Sequence, residues 1–215
     1  MDLDRTTTAM LTALHDPRNA AAWEAFDRRY RPILIGFSRN CGMNENDAVD
    51  VAQETILRFV EEYREGKYDR TRGRLGAWLV TIARYRMLDQ RRRKGVARIE
   101  RGESAMINLD DEQSVTAAYE TERRHAVLRD ALVELRTTSK TDPKTIKAFE
   151  MLAYHGLAPQ VVATELGMST HDVYVAKSRI AAKLREIVLR LEREYEEEPG
   201  EWEGDDKRPS AGLSA

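Results

Sequence analysis

The chain has a single cysteine, Cys41, among its 215 residues. An internal disulfide and a cysteine-based zinc cluster are therefore excluded. Its four histidines, His15, His125, His155 and His171, are scattered and join no carboxylate set of metal-ligand type. A glycine-rich phosphate loop and a nucleophile motif are both missing, so no enzyme class finds its minimal residue set. The expectation is a protein with no catalytic residue, no metal and no cofactor. No apolar run approaches membrane-spanning length, and the opening MDLDRTTTAML has no basic stretch followed by an apolar core. A cytoplasmic protein without membrane insertion is expected. Proline (6) and glycine (12) are scarce enough to leave long stretches of good helix formers, which predicts an all-α fold.

What is present is charge, arranged in blocks. The formal net charge is -2, yet Arg84 to Arg101 holds eight basic residues against Asp89 and Glu100. From Glu186 to Asp206 the balance reverses, with ten acids against Arg190 and Arg193. A basic stripe in mid-chain suits a polyanionic partner, and the total conceals it.

Helical periodicity organises the rest. Trp23, Phe26, Tyr30, Leu34 and Phe37 follow three- and four-residue steps, with a kink or break expected near Pro32. Val49, Ala52, Ile56, Phe59, Val60 and Tyr63 form a second stripe; Leu75, Trp78, Leu79, Ile82 and Tyr85 form a third. Gly42 and Gly66 suit helix ends, and Asn44 with Asp47 suits a helix start. The pattern fails between Gly95 and Val115 and resumes with Tyr119, Val127, Leu128, Ala131, Leu132 and Leu135. Pro143 suits the first turn of a further helix. Two small helical domains are predicted, an N-terminal helical bundle over 1–94 and a C-terminal domain over 116–195. A flexible linker, 95–115, joins them, and a disordered acidic tail, 196–215, follows.

Residues Ala158 to Glu186 read APQVVATELGMSTHDVYVAKSRIAAKLRE. Pro159 opens a short helix, Gly167 supplies a left-handed turn, Met168 plugs the gap and Ser169 caps a longer helix. Val173, Ala176, Ile180 and Leu184 point inward along that longer helix. This is the layout of a helix-turn-helix. The outer face carries Thr170, His171, Tyr174, Lys177, Ser178, Arg179 and Lys183, a set suited to base edges and phosphates in a major groove. An ordinary helical hairpin with a solvated basic face is the competing reading. The serine cap, glycine turn and basic face together favour DNA.

In the front half, Asp47, Asp50 and Glu54 share one helix face, which Glu61 extends. Such a face is either simply solvated or a dock for a basic partner helix. Next comes the basic, aromatic run Tyr68-Asp69-Arg70-Thr71-Arg72-Gly73-Arg74, then Trp78, Arg84, Arg86 and Arg91 to Lys94. Aromatics among arginines suit unpaired bases and their backbone. Tyr68 is the stacking candidate, and Trp78 is assigned to the core.

The stretches DAVDVAQETILRF (Asp47 to Phe59), YDRTRGRLGAWLVTIARYRMLDQRRR (Tyr68 to Arg93) and VATELGMSTHDVYVAKSRIAAKLRE (Val162 to Glu186) resemble, in order and separation, the extracytoplasmic-function (ECF) sigma factors of bacteria. The resemblance covers most of residues 10–195. It implies a transcription initiation factor that partners core RNA polymerase, through the β′ clamp helices and the β flap, and promoter DNA. Asp47, Asp50, Gln53 and Glu54 would dock the clamp. Tyr68, Arg70, Arg72, Arg74, Trp78, Arg84, Arg86 and Arg91 would open and read the −10 region. The helix with Ser169, Thr170, His171, Tyr174, Lys177, Ser178, Arg179 and Lys183 would read the −35 element. The linker, with Glu103, Asp110, Asp111 and Glu112, would thread the polymerase. An anti-sigma factor or a Ser/Thr kinase is the implied class of regulator. A stand-alone helix-turn-helix regulator is the alternative.

Two departures from the family pattern stand out. Val49 falls where many members carry an acid, and Thr55 on the same helix is the candidate phosphosite that would restore the charge. The acidic extension after Glu194 is either a spacer or a competitor of DNA for a basic face.

Overall fold

The computed structural model describes residues 7–16, 18–69, 74–93, 107–137 and 140–195. Among them are eight α-helices and no strand: α1 (Thr7–Leu14), α2 (Ala20–Asn40), α3 (Glu45–Arg64), α4 (Leu75–Arg93), α5 (Glu112–Thr137), α6 (Pro143–Ala153), α7 (Pro159–Leu166) and α8 (Thr170–Tyr195). The chain forms two compact units that meet at Ala126 and Val127, inside α5. Helix α5 starts at Glu112, within the stretch assigned to the linker, and gives its first half to one unit and its second half to the other.

In the first unit α3 packs between α2 and α4, and α1 lies against α2. The core is aromatic: Phe26 stacks on Phe59 at 4.8 Å and an interplanar angle of 5°, and Tyr63 follows Phe59 at 5.5 Å. Such ring pairs add about 0.5–1.5 kcal/mol beyond the area they bury. Tyr63 also ties α1 down, its hydroxyl donating to the Leu11 carbonyl at 2.5 Å. Of the kink or break expected near Pro32, the break does not occur, and α2 runs on to Asn40. Ile33, Leu34 and Phe37 are fully buried just beyond the proline, so tertiary packing outweighs the missing backbone donor.

The second stripe buries Ala52, Ile56, Phe59 and Tyr63 as expected, with Val51 in place of Val49 and Val60 half-buried. Ala48, Val51, Ala52, Thr55, Ile56 and Phe59 are buried, whereas Val49 is exposed. On α4 the inward residues are Leu75, Leu79, Val80, Ile82, Ala83 and Met87; Tyr85 faces out and Trp78 is half-buried.

The second unit is built on α6, α7 and α8. Asp142 caps α6 by accepting from the Lys144 amide at 2.9 Å, with Pro143 in the first turn as expected. Ala148, Met151, Val162, Ala163, Val173 and Ala176 form its core, and Met168 packs against their edge. The far end of α8 is pinned to α5: Tyr195 donates to Asp130 at 2.8 Å, and Arg190 pairs with Glu134 at 2.5 Å.

Candidate nucleic-acid interface

The basic, aromatic end of the first unit is built around a buried carboxylate. Glu62, only 1% exposed, accepts from Arg58 Nε at 2.8 Å and from the Trp78 indole N–H at 3.1 Å. Trp78 is thus neither a core residue nor a loose surface ring. The polar edge of its indole is committed to Glu62, which holds the ring half-exposed. Tyr68 meets Trp78 edge-to-face at 6.0 Å and also contacts Phe59 and Tyr63. It is therefore one wall of an aromatic cluster, half-buried, rather than an isolated stacking platform. Sequence periodicity missed Glu62 because it sits in an acidic pair. Its position three residues after Phe59 was the available signal.

The basic residues assigned to this end differ in their settings. Arg74 is exposed at the start of α4. Arg84 lies near Asp110 at 3.4 Å and Glu112 at 3.7 Å, and Arg86 pairs with Asp89 at 3.8 Å. Arg91 has a structural role that the sequence did not suggest. Its Nη2 donates to the Cys41 carbonyl at 2.7 Å, satisfying an acceptor beyond the end of α2. The same packing pushes the buried Cys41 thiol up to about 11, mainly through desolvation, with the Arg91 charge opposing it. Arg70 and Arg72 lie outside the described residues, as do Glu103 and the tail 196–215.

On α3 the outward face carries Val49, Asp50, Gln53 and Leu57, and Leu57 is 55% exposed. Glu54 flanks this face at the edge of contact with Arg93, 4.0 Å away. Asp47 does not belong to the face. It is buried, accepting from Asn44 Nδ2 at 2.9 Å and from Gln90 of α4 at 3.2 Å. Asn44 caps α3 as expected, accepting from the Asp47 amide at 3.0 Å. Thr55 also departs from its expected role. Its side chain is fully buried and its hydroxyl donates to the Val51 carbonyl at 2.6 Å. A kinase has no access to that hydroxyl, and a dianionic phosphate would be buried without compensation, so this packing excludes Thr55 as a surface phosphosite.

In the second unit the turn between α7 and α8 forms as its residues require. Gly167 takes φ 56° and ψ 48°, a left-handed conformation that disfavours a Cβ. Its carbonyl accepts from Lys144 at 3.3 Å. Ser169 and Asp172 cap α8 reciprocally: Ser169 Oγ accepts from the Asp172 amide at 3.0 Å and donates to Asp172 Oδ2 at 2.7 Å. The Ser169 contacts hold the Asp172 carboxyl below its ordinary value. Val173, Ala176 and Ile180 are buried as expected, and Leu184 is half-buried. His171, Tyr174, Lys177, Ser178 and Arg179 are exposed together on the outer face, Tyr174 by 54%. Thr170 is half-buried, and Lys183 is drawn away to donate to Thr141 at 3.0 Å. The assigned surface thus contracts to its first three turns.

Among the described residues no cluster of His, Cys, Asp or Glu could hold a metal ion, and no helix is long and apolar enough to cross a membrane. An aromatic-basic surface on one helical unit and a helix-turn-helix on the other stand beside three comparisons with known proteins. Residues 26–96 match the Sigma-70 region 2 family. Two curated relatives extend the match over most of the chain. The ECF RNA polymerase sigma factor RpoE of Cereibacter sphaeroides is 27% identical over 84% of this chain and 93% of its own length. The ECF RNA polymerase sigma factor SigL of Mycobacterium tuberculosis is 29% identical over 86% of this chain and 90% of its own. Among solved structures, that of CnrH in complex with the cytosolic domain of CnrY covers 87% of this chain and 97% of its own, at 20% identity and a TM-score of 0.34. Over most of its length the chain is thus similar to ECF RNA polymerase sigma factors.

Proposed function

We propose that this chain is a sigma factor that reads promoters in two parts. The first unit captures unpaired bases of the −10 region, and the first three turns of α8 read the −35 element as duplex. What supports this is the presence on one chain of two unlike nucleic-acid surfaces. Tyr68 and Trp78, edge-to-face and braced by Glu62, offer ring surface beside Arg74, Arg84 and Arg86, the combination that single strands require. The α7–α8 turn presents His171 and Tyr174 for base edges, with Lys177 and Arg179 for phosphates. Capture of flipped bases offsets the few kcal/mol that unpairing each one takes. The exposed face of α3, with Asp50, Gln53 and Leu57, is the proposed dock for the polymerase clamp helices.

Permanganate footprinting of unpaired thymines, paired with nuclease footprinting of the duplex, on an active promoter with core polymerase present, tests the division of labour. Trp78→Ala with Tyr68→Ala should abolish reactivity near −10 while leaving the −35 footprint. Lys177→Ala with Arg179→Ala should weaken the −35 footprint first. Equal loss at both elements from either pair would refute the two-part reading.

A further inference from the structure

The face of the first unit that holds Arg84 is covered by the chain's own segment from Leu109 to Glu122. Leu109, Val115, Ala118 and Tyr119 of that segment are all buried. Two glycines make the seat. A Cβ on Gly76 of α4 would stand 3.0 Å from Tyr119 Cε1, and one on Gly36 of α2 would stand 2.2 Å from Glu122 Oε2. Tyr119 also meets Phe37 edge-on at 5.9 Å, and Glu122 accepts from Asn40 at 2.9 Å. With these anchors in place the segment brings two carboxylates to Arg84: Asp110 at 3.4 Å and Glu112 at 3.7 Å. Both acids are largely solvated, at 80% and 85% side-chain exposure, so on their own they hold little. Their position is set by the buried part of the segment. Arg84 Nε has no acceptor among the described residues, so the acids leave the guanidinium incompletely satisfied.

We infer that this glycine-floored seat on α2 and α4 is an exchangeable docking surface. Its resident occupant, Leu109–Glu122, competes with nucleic acid for Arg84. The inference rests on the reading of Arg84 as a promoter contact and adds a control to it: the segment must leave Arg84 before the backbone of a melted strand can take it. If the docked form is about 90% populated, apparent affinity for DNA is lowered about tenfold.

The test uses the full chain and a fluorescein-labelled single-stranded DNA of mixed sequence, read by anisotropy. Asp110→Asn with Glu112→Gln removes the carboxylates and keeps the anchors. Gly76→Val changes no charge and drives a side chain against Tyr119. Asp16→Asn with Glu24→Gln is a charge-matched control away from the seat. Both seat variants should bind roughly five- to tenfold tighter, with faster amide exchange across 109–122 in Gly76→Val. Adding Arg84→Ala should erase the gain, and the control should show none. Seat variants that bind like the unaltered chain, or a control that gains as much, would overturn the inference. Should Gly76→Val fail to fold, the carboxylate pair still decides. Promoter-specific initiation by the unaltered chain with core polymerase is scored in parallel. Its absence refutes the promoter reading, whereas the ratio of variant to unaltered binding decides the role of the segment.

Discussion

The indole N–H of Trp78 donates to the buried carboxylate of Glu62, 3.1 Å away, and so ties the start of α4 to the end of α3. Arg58 holds the same carboxylate from one helical turn away. Glu62→Ala removes the acceptor of the Trp78 indole and of Arg58 Nε, while Arg58 keeps its pairing with Glu61. It should destabilise the first unit by roughly 2 to 3 kcal/mol, below the full buried-pair figure because Arg58 is partly solvated. Glu62→Gln keeps an acceptor for Trp78 and should lose less. Urea unfolding followed by tryptophan fluorescence checks the order. An Ala variant as stable as Gln would remove Glu62 from its bracing role.

Thr55→Glu, the usual mimic of a phosphate, should behave as a folding defect. It places a carboxylate where the side chain is fully buried, and about 3 kcal/mol or more of stability should be lost. Thr55→Val, of similar shape, should fold with a smaller loss. Thermal unfolding of the two variants separates the cases. A stable, fully helical Thr55→Glu would show that the packing around α3 has been misread.

The cap of α8 carries a pH dependence with a definite sign. Hydrogen bonds from Ser169 lower the Asp172 carboxyl from its ordinary 3.8. The stabilisation is therefore complete above that value and drains away as pH falls through the lowered, folded-state value. Ser169→Ala should destabilise the second unit at neutral pH and narrow its difference from the unaltered chain in strong acid. Acid titration of helicity at elevated temperature measures both limbs. A constant difference at every pH would contradict the cap.

Lys177 and Arg179 stand exposed on the outer face of α8, whereas Lys183 is engaged with Thr141. With the polymerase complex on −35 duplex, Lys177→Ala or Arg179→Ala should each flatten the slope of log affinity against log salt by about 1. Lys183→Ala should change that slope less. His171→Ala or Tyr174→Ala should alter the preferred sequence more than the slope. A salt slope carried mainly by Lys183 would shift the reading surface down the helix.

The α7–α8 turn of the second unit was legible in the sequence almost residue by residue, because its rules are local. A glycine forced to positive φ, a serine with an acid three residues on and a short apolar stripe specify the α7–α8 turn without reference to anything distant. The first unit was legible as helices but not as a surface. Val49 and Val51 are equally good stripe residues by composition, and only packing against α2 and α4 chose Val51. Asp47, Thr55 and Arg91 were read as surface groups from residue type, yet each is used internally, by Gln90, the Val51 carbonyl and the Cys41 carbonyl. Those partners lie four to fifty residues away, and the two distant ones are beyond the reach of any periodicity. The seat for Tyr119 needed two glycines on different helices, and spacing along one helix does not reveal such a pair.

The central claim is that this chain gives RNA polymerase its promoter choice through two surfaces acting together. The most direct measurement adds the protein to core polymerase and a library of randomised promoter DNA, then sequences the transcripts and their templates. The account predicts transcripts that depend on the protein and templates enriched in two separated elements, near −10 and −35, at a fixed spacing. Enrichment of a single site with no gain in initiation, or initiation indifferent to template sequence, would contradict it.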